Sequence, residues 1–214
     1  MLRKITGYNM NNNMKIAIDI NDVIRDNMHK FMEVYIKNID PDFELNDEDI
    51  TSFNQLECYP FASEEELYKF KYVDYPFELY ARAECCDKML PYVVNDWTEK
   101  TLMDLDEECV PEIMFFSPFE IGLTIQSTFT FLSGKSLRPR EVWFPKDSIK
   151  IYEKADIVIT AQPSLIEGCP EGKTVIKINT PYNKEIETKY SFDSLLDVIA
   201  DPNQTLIKIL ENKE

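Results

Sequence analysis

Short apolar runs, each followed by polar residues, predict the buried strands of a sheet. The first run, KIAIDI at 15–20, is rich in isoleucine and leads into the polar segment NDVIRDN, a pattern that predicts a strand, a loop and then a helix. The second half of the chain contains four further runs of this kind: PEIMFFS (111–117), EVWFP (141–145), ADIVIT (155–160) and TVIKIN (174–179). Loops or helical stretches separate these runs, as in a parallel sheet.

A long segment with mostly helical periodicity separates the first predicted strand from the second. The chain therefore predicts an α/β fold, in which a parallel-sheet core carries a helical cap inserted after the first strand. We assign residues 14–27 and 106–214 to the core and residues 28–105 to the cap. The asparagine-rich residues 1–13 are predicted to form a flexible arm, and the tail to form two helices that break at Asp201 and Pro202.

Charge and composition exclude several classes of protein. The chain has 214 residues, and its 23 Lys and Arg against 39 Asp and Glu give a net charge of −16. A charge of this sign repels nucleic-acid backbones and anionic lipid, so we expect no direct binding to nucleic acid or membranes. With 44% hydrophobic residues, the chain can bury a core. Because no apolar run reaches the roughly 18–20 residues that span a bilayer, and no signal peptide is recognisable, we expect a soluble, cytoplasmic protein.

The cysteine and histidine content argues against a zinc site or a cysteine–histidine catalytic pair. His29 is the single histidine and lies in a helical run, HKFMEVYI, where a surface or core role is expected. The five cysteines follow no metal-ligand spacing, so we expect reduced thiols: Cys58, Cys85, Cys86, Cys109 and Cys169. The adjacent pair Cys85 and Cys86 fits small buried residues better than a redox pair.

The polar residues that follow the predicted strands form one candidate site. Asp19 and Asn21 end the first strand, Ser117 ends the second, and Lys150 precedes the strand that ends in Thr160. The carboxyl ends of parallel strands open onto one crevice, so we expect these side chains to converge. An Asp, a hydroxyl and a Lys can together handle a phosphoryl group. The carboxylate attacks phosphorus, the hydroxyl and the ammonium hold oxygens, and Mg²⁺ offsets the charge repulsion.

In this order, the motifs resemble the haloacid-dehalogenase-like (HAD) phosphohydrolases and, more narrowly, their 5'(3')-deoxyribonucleotidase-like branch. The resemblance covers about residues 14–190 and rests on KIAIDINDVIRD, on EDITSF and YVDYPFELYARAE in the insertion, on IMFFSP, on Lys150 before ADIVIT, and on EGKTVIKINTPYN. It implies a HAD-like Rossmannoid core. It also implies that Asp19 matches the nucleophile, Ser117 the second-motif hydroxyl and Lys150 the lysine that holds phosphate.

The acid/base position departs from the family's pattern. The family's phosphatases place a second Asp two residues after the nucleophile, to protonate the leaving oxygen and then activate water. This chain has Asn21 there, an amide that cannot cycle a proton. Asp22 is adjacent, but it falls where the family usually has a small residue, so we do not expect it to take over the proton transfer.

The metal position departs as well. Where the family has the acids that anchor Mg²⁺, this chain has Thr160 and Ala161, and Asp156 lies at the opposite end of the same strand. A magnesium site reduced to Asp19 is expected to be weak or lost, because carboxylate count sets affinity for this ion. We therefore expect no cofactor, or Mg²⁺ if the protein is active.

Three hypotheses for the function follow from these departures. The first, in which the protein is not an enzyme, is a catalytically degenerate HAD-like protein reused as a structural or interaction module, extended to a phage virion ring or assembly component. Its partners would be copies of itself or assembly proteins, in the host cytoplasm or the virion. The second is a weak or altered magnesium-dependent phosphohydrolase acting on (deoxy)nucleoside monophosphates. The third is a nucleotide-binding sensor, with a small nucleotide or phosphate as its ligand.

The insertion is rich in aromatic residues, which admit two interpretations. They could form a surface on which a base stacks, or they could pack the insertion against the core. At these spacings we expect packing for most of the six: Tyr68, Phe70, Tyr72, Tyr75, Phe77 and Tyr80.

Overall fold

The computed structural model describes residues 14–100, 112–201 and 205–211. Within these residues the chain forms a six-stranded sheet: β1 (Lys15–Asp19), β2 (Glu112–Phe116), β3 (Val142–Trp143), β4 (Ile157–Thr160), β5 (Thr174–Ile178) and β6 (Ser191–Phe192). The strands lie in the order β3-β2-β1-β4-β5-β6, and every neighbouring pair is parallel. The predicted α/β class and parallel sheet are confirmed. The edge strand β6 has only two residues, too few to give a recognisable pattern.

Ten α-helices connect the strands in the described part of the chain. They are α1 (Asn27–Asn38), α2 (Gln55–Cys58), α3 (Glu64–Lys69), α4 (Pro76–Tyr80), α5 (Leu90–Lys100), α6 (Leu123–Gly134), α7 (Ile151–Lys154), α8 (Pro163–Glu167), α9 (Leu195–Ala200) and α10 (Thr205–Glu211). Residues Phe70–Asp74 form a π-helix, and 3₁₀ turns occur at Asp47–Asp49, Ser148–Lys150 and Pro181–Asn183. The predicted break of the tail falls between α9 and α10, and Pro202 itself lies outside the described residues.

The central strands are buried on both faces. Ile16 and Ile18 of β1 belong to one core cluster, whereas Ala17 between them belongs to a second cluster on the opposite face. Helices cover both faces, which explains why these strands are continuous apolar runs rather than alternating ones. Strand β1 pairs with both β2 and β4, so its carboxyl end lies at the centre of the sheet.

The insertion has an aromatic core of its own. Phe31, Tyr35, Tyr59 and Phe70 are buried in one cluster, with the rings of Phe31 and Tyr59 4.7 Å apart. Helix α5 instead contributes Leu90 and Val94 to a sheet cluster. The limits of the cap at residues 28 and 105 stay a prediction, and the arm 1–13 and residues 101–111 lie outside the described residues.

A buried arginine joins the insertion to the core. The side chain of Arg25 is completely buried, and its Nη2 lies 2.6 Å from Oε1 of Glu120. Its Nη1 donates to the carbonyl oxygen of Tyr80 in α4 (3.0 Å) and to Oγ1 of Thr128 in α6 (2.6 Å). The Thr128 hydroxyl donates in turn to Oε2 of Glu120 (2.5 Å). One side chain therefore fixes the insertion to the sheet layer.

The chain segments 24–26 and 84–86 run side by side next to Arg25. The backbone N–H of Asp26 donates to the carbonyl of Glu84 (2.9 Å), and that of Cys86 donates to the carbonyl of Ile24 (2.9 Å). This pairing brings the two ends of the segment 26–84 together. The four described cysteines, Cys58, Cys85, Cys86 and Cys169, are free thiols, as expected, and Cys109 lies outside the described residues.

His29 has a surface role on helix α1. Its Nδ1 lies 2.7 Å from Oδ1 of Asp26, and its Nε2 lies 3.0 Å from Oδ2 of Asp47. The hydrogen bond to Asp26 and the second one to Asp47 raise the pKa of His29 to about 9, against the opposing effect of partial burial. Among the described helices, none has the length and apolar character needed to cross a membrane.

We expect Arg25→Met and Glu120→Gln each to lower the free energy of unfolding by about 3–5 kcal/mol, because each leaves its partner buried without a counter-charge. The double variant Arg25→Met/Glu120→Met should lose less than the sum of the two single losses, as measured by urea unfolding. Arg82→Met, which removes an exposed arginine, is the matched control. Single variants no less stable than this control would contradict the role given to the pair.

We expect the stabilising effect of His29 to disappear at alkaline pH. Because its folded pKa is raised, the contribution is complete below the unfolded value of about 6.5 and is lost as pH rises through about 9. His29→Gln should lower Tm by up to about 4 °C at pH 6, since exposed ion pairs contribute up to about 1 kcal/mol, and by nothing measurable at pH 10. A Tm difference independent of pH would contradict this assignment.

Candidate functional site

Asp19 lies at the carboxyl end of β1, in the middle of the sheet, and is only 2% exposed. Its Oδ2 accepts a hydrogen bond from the Thr160 hydroxyl (2.7 Å), and its Oδ1 accepts one from the backbone N–H of Asn21 (3.2 Å). Burial raises the pKa of Asp19 to about 8, although both hydrogen bonds favour the charged form. Burial therefore disfavours the charged form of this side chain, and the protonated form is a poor nucleophile.

Asn21 and Ser117 lie together beside Asp19, but their polar atoms are engaged by protein groups. The amide Nδ2 of Asn21 donates to Oγ of Ser117 (3.0 Å), and its Oδ1 accepts from Nε of Arg25 (3.0 Å). The Ser117 hydroxyl donates to Oε1 of Glu120 (2.5 Å). The hydroxyl proton of Ser117 thus points at the Glu120 carboxylate, and both the nitrogen and the oxygen of the Asn21 amide are hydrogen-bonded.

Asp22 has a structural role at the start of helix α1. Its backbone has a φ of +57°, the left-handed region that favours glycine. Its carboxylate accepts from the backbone N–H groups of Asn27 (3.0 Å) and Met28 (2.8 Å) and from the hydroxyl of Tyr182 (2.8 Å). Burial raises the pKa of Asp22, and these hydrogen bonds partly offset the effect. With three donors in place, this carboxylate is held away from proton transfer.

The end of β4 carries an amide in addition to the two predicted residues. Thr160 contacts Asp19, and Ala161 is buried beside it. Gln162 follows, 4% exposed, and its Nε2 donates to the hydroxyls of Ser148 (3.1 Å) and Ser164 (2.7 Å). Among the residues that the structure describes, the Oε1 of Gln162 has no hydrogen-bond partner. A buried acceptor without a donor marks a place where a ligand or water would complete the site.

The described residues offer little to a metal ion. No group of three or more His, Cys, Asp or Glu side chains in 14–100, 112–201 and 205–211 is arranged to hold one. Asp19 is the carboxylate that the family resemblance assigns to Mg²⁺, and its two oxygens accept from Thr160 and Asn21. Asp156 lies at the amino end of β4, where it binds Nζ of Lys173 (3.0 Å). One carboxylate is a poor match for the Mg²⁺ ligand set.

The structure does not bring Lys150 to this site. Lys150 ends the 3₁₀ turn Ser148–Lys150 and is exposed, whereas Ser148 in the same turn is buried and contacts Gln162. The turn therefore directs its first residue towards the strand ends and its last residue towards solvent. The role implied for Lys150, holding phosphate, stays a prediction.

A different lysine, from the insertion, lines the site. A cavity of about 230 Å³ lies between the strand ends and the insertion, with Asp19, Asn21 and Gln162 on the core side and Lys71 on the insertion side. Lys71 is half-buried, and its Nζ donates to Oε1 of Gln55 (3.4 Å). Burial lowers its pKa to about 8. Sequence reasoning missed Lys71, because its direction depends on the π-helix Phe70–Asp74, a rare element with no clear sequence pattern but a frequent one at functional sites.

The aromatic residues of the insertion divide between packing and the cavity. Phe70 and Tyr80 are buried and Tyr75 packs against the aromatic cluster, as expected, whereas Tyr68 and Phe77 are exposed. Tyr72 and Tyr80 also line the cavity, together with Phe53, Tyr59, Phe119 and Tyr182. Rings from both the insertion and the core therefore surround the cavity.

Comparisons with known proteins agree with this architecture. No family model matches the chain, and no curated protein matches it either. A haloacid dehalogenase-like hydrolase from Burkholderia xenovorans is similar with a TM-score of 0.54 at 10% sequence identity, over 91% of this chain and 98% of that chain. The magnesium-bound HAD-hydrolase YfnB from Bacillus subtilis has a TM-score of 0.50 at 10% identity, over 94% and 99% of the two chains.

At such low identity, these similarities concern the fold. They agree with the HAD-like core that the motifs implied, while the narrower resemblance to the deoxyribonucleotidase branch stays a prediction. The chain has the HAD-like Rossmannoid fold, and its candidate site lies where that fold opens at the carboxyl ends of the central strands.

Proposed function

We propose that this protein binds a small organic ligand in the Asp19 cavity and does not hydrolyse phosphate esters by the HAD mechanism. The observation that carries the proposal is the position of Asn21 and the hydrogen bonds of its side-chain amide. It occupies the acid/base position of the resemblance, and its amide is fixed between Arg25 and Ser117. An amide in that position cannot transfer a proton to a leaving group, and the loss of general acid/base catalysis typically costs about 10²–10⁴-fold in rate.

The other catalytic positions support the same proposal. The Ser117 hydroxyl donates to Glu120, Lys150 is not among the residues that line the cavity, and burial disfavours the charged form of Asp19. The cavity itself is retained, with aromatic walls and convergent polar groups, which is the usual form of a small-molecule site. A nucleoside monophosphate is the ligand that the sequence resemblance implies.

We expect Mg²⁺-dependent phosphate release from deoxynucleoside monophosphates to be the same for the wild type and for Asp19→Ala. Asn21→Asp alone should not create turnover, because the new carboxylate would pair with the Arg25 guanidinium. A colorimetric phosphate assay with and without EDTA measures both. Turnover that Asp19→Ala abolishes would make the protein a phosphohydrolase, the second hypothesis from the sequence, and would overturn the proposal.

A second candidate function is that of a protein-interaction module, the first hypothesis from the sequence, and one observation favours it. Phe119, Ile121 and Leu123, which lie close together along the chain, are between 41% and 54% exposed. Exposed apolar side chains in one place are typical of a contact with another protein. We take a second copy of this chain as the partner; the phage assembly role stays a prediction from the sequence.

If this candidate is correct, light scattering should show a dimer for the wild type and a monomer for Ile121→Ser/Leu123→Ser, because the two substitutions remove apolar contact area. Ile39→Ser, at another exposed apolar position, is the matched control and should leave the mass unchanged. A wild-type protein that stays monomeric at every concentration tested would contradict self-association.

A further inference from the structure

We propose that the ligand binds with its anionic group at Lys71 of the insertion and with N–H or O–H donors directed at Asp19 and Gln162 of the core. This orientation rests on the proposed binding function. The ligand class is a small aromatic or heterocyclic molecule that carries hydrogen-bond donors and one phosphate or carboxylate group. Its anion would lie on the side of the cavity opposite to the Ser117 and Lys150 positions that the sequence resemblance implies.

The core side of the cavity requires donors. The Oε1 of Gln162, a residue 4% exposed, has no hydrogen-bond partner among the described residues. Asp19 lines the same cavity, and its Oδ1 receives one long hydrogen bond of 3.2 Å, from the backbone N–H of Asn21. A buried acceptor is satisfied by a donor, and an anionic oxygen would leave the Oε1 of Gln162 unpaired and would face the carboxyl group of Asp19.

Two cations could hold an anion on the core side, but Arg25 already pairs with a carboxylate and Lys150 is exposed to solvent. The Arg25 guanidinium pairs with Glu120 and also donates to Asn21, Thr128 and the Tyr80 carbonyl. The side chain of Lys150 is exposed to solvent outside the cavity. A phosphate placed against the strand ends would therefore face the carboxyl groups of Asp19 and Asp22 without a free cation among the described core residues lining the cavity.

The insertion side of the cavity carries a cation, Lys71. Lys71 lines the cavity, and its Nζ makes one long hydrogen bond of 3.4 Å, to Gln55, so a stronger acceptor could replace that contact. Partial burial disfavours its charge, and an anionic partner would restore it. The Lys71 Nζ lies 5.5 Å from the centre of the Tyr72 ring, and Tyr59 and Phe53 line the cavity nearby. A flat ring that stacks on these residues would bring its anionic substituent to Lys71.

Isothermal titration calorimetry with thymidine and thymidine 5'-monophosphate isolates the contribution of the anion. For the wild type we expect the monophosphate to bind at least about 10-fold more tightly than the nucleoside, as is typical of one charge-assisted contact. Lys71→Met should reduce this ratio to about 1 and leave the Kd of thymidine unchanged. Lys71→Arg should restore much of the ratio, which separates the effect of charge from a folding defect.

Three further variants complete the test. Lys69→Met, an exposed lysine of the neighbouring helix α3, is the matched control and should not change the ratio. Gln162→Leu should weaken thymidine and its monophosphate by the same factor, because it removes an acceptor for the ring donors. A ratio that falls in Ser117→Ala or Lys150→Met, and not in Lys71→Met, would overturn this orientation and leave the binding function standing.

Two further outcomes test the proposed function itself, which is ligand binding without hydrolysis. Release of phosphate from thymidine 5'-monophosphate, abolished by Asp19→Ala, would overturn the non-hydrolytic function, while the Lys71 ratio could still be measured in the inactive variant. Failure of both probes to bind a wild-type protein that unfolds cooperatively would overturn the binding function and the orientation together.

Discussion

The salt bridge between Arg25 and Glu120 connects the insertion, helix α6 and the carboxyl ends of β1 and β2. It lies in the interior, where an unpaired charge would be strongly unfavourable, so each partner holds the other in place. Through hydrogen bonds to the Tyr80 carbonyl and to Thr128, it joins the insertion to helix α6, which follows strand β2. The cavity between insertion and sheet has its shape because this contact fixes the two sides relative to each other.

The same salt bridge decides the chemistry of the strand ends. Glu120 accepts a hydrogen bond from the Ser117 hydroxyl, and Arg25 donates one to the Oδ1 of Asn21. Two groups that could otherwise contact a ligand's phosphate become part of the internal hydrogen-bond network. Asp19, beside them, is buried, and burial disfavours its charge although the Thr160 hydroxyl donates a hydrogen bond to it. The fold alone therefore does not determine the chemistry of this site, in line with the general independence of fold and function.

The sequence determined the fold, because the information needed for it is local. Isoleucine-rich runs such as 15–20 and 155–160 are buried on both faces of a parallel sheet, and this requirement is visible in any stretch of five or six residues. The convergence of Asp19, Asn21, Ser117 and Thr160 also followed, since the strands are parallel and their carboxyl ends meet.

Only the tertiary structure decided which polar groups line the cavity. Two positions along one turn separate the buried Ser148 from the exposed Lys150, and Lys71, which lines the cavity, belongs to a π-helix. The partners of Arg25 come from segments far apart in the chain, so neither its burial nor its pairing with Glu120 has a local pattern. The sequence by itself determines where the chain is apolar and hence its layers, whereas the direction of each polar side chain depends on which distant group satisfies it.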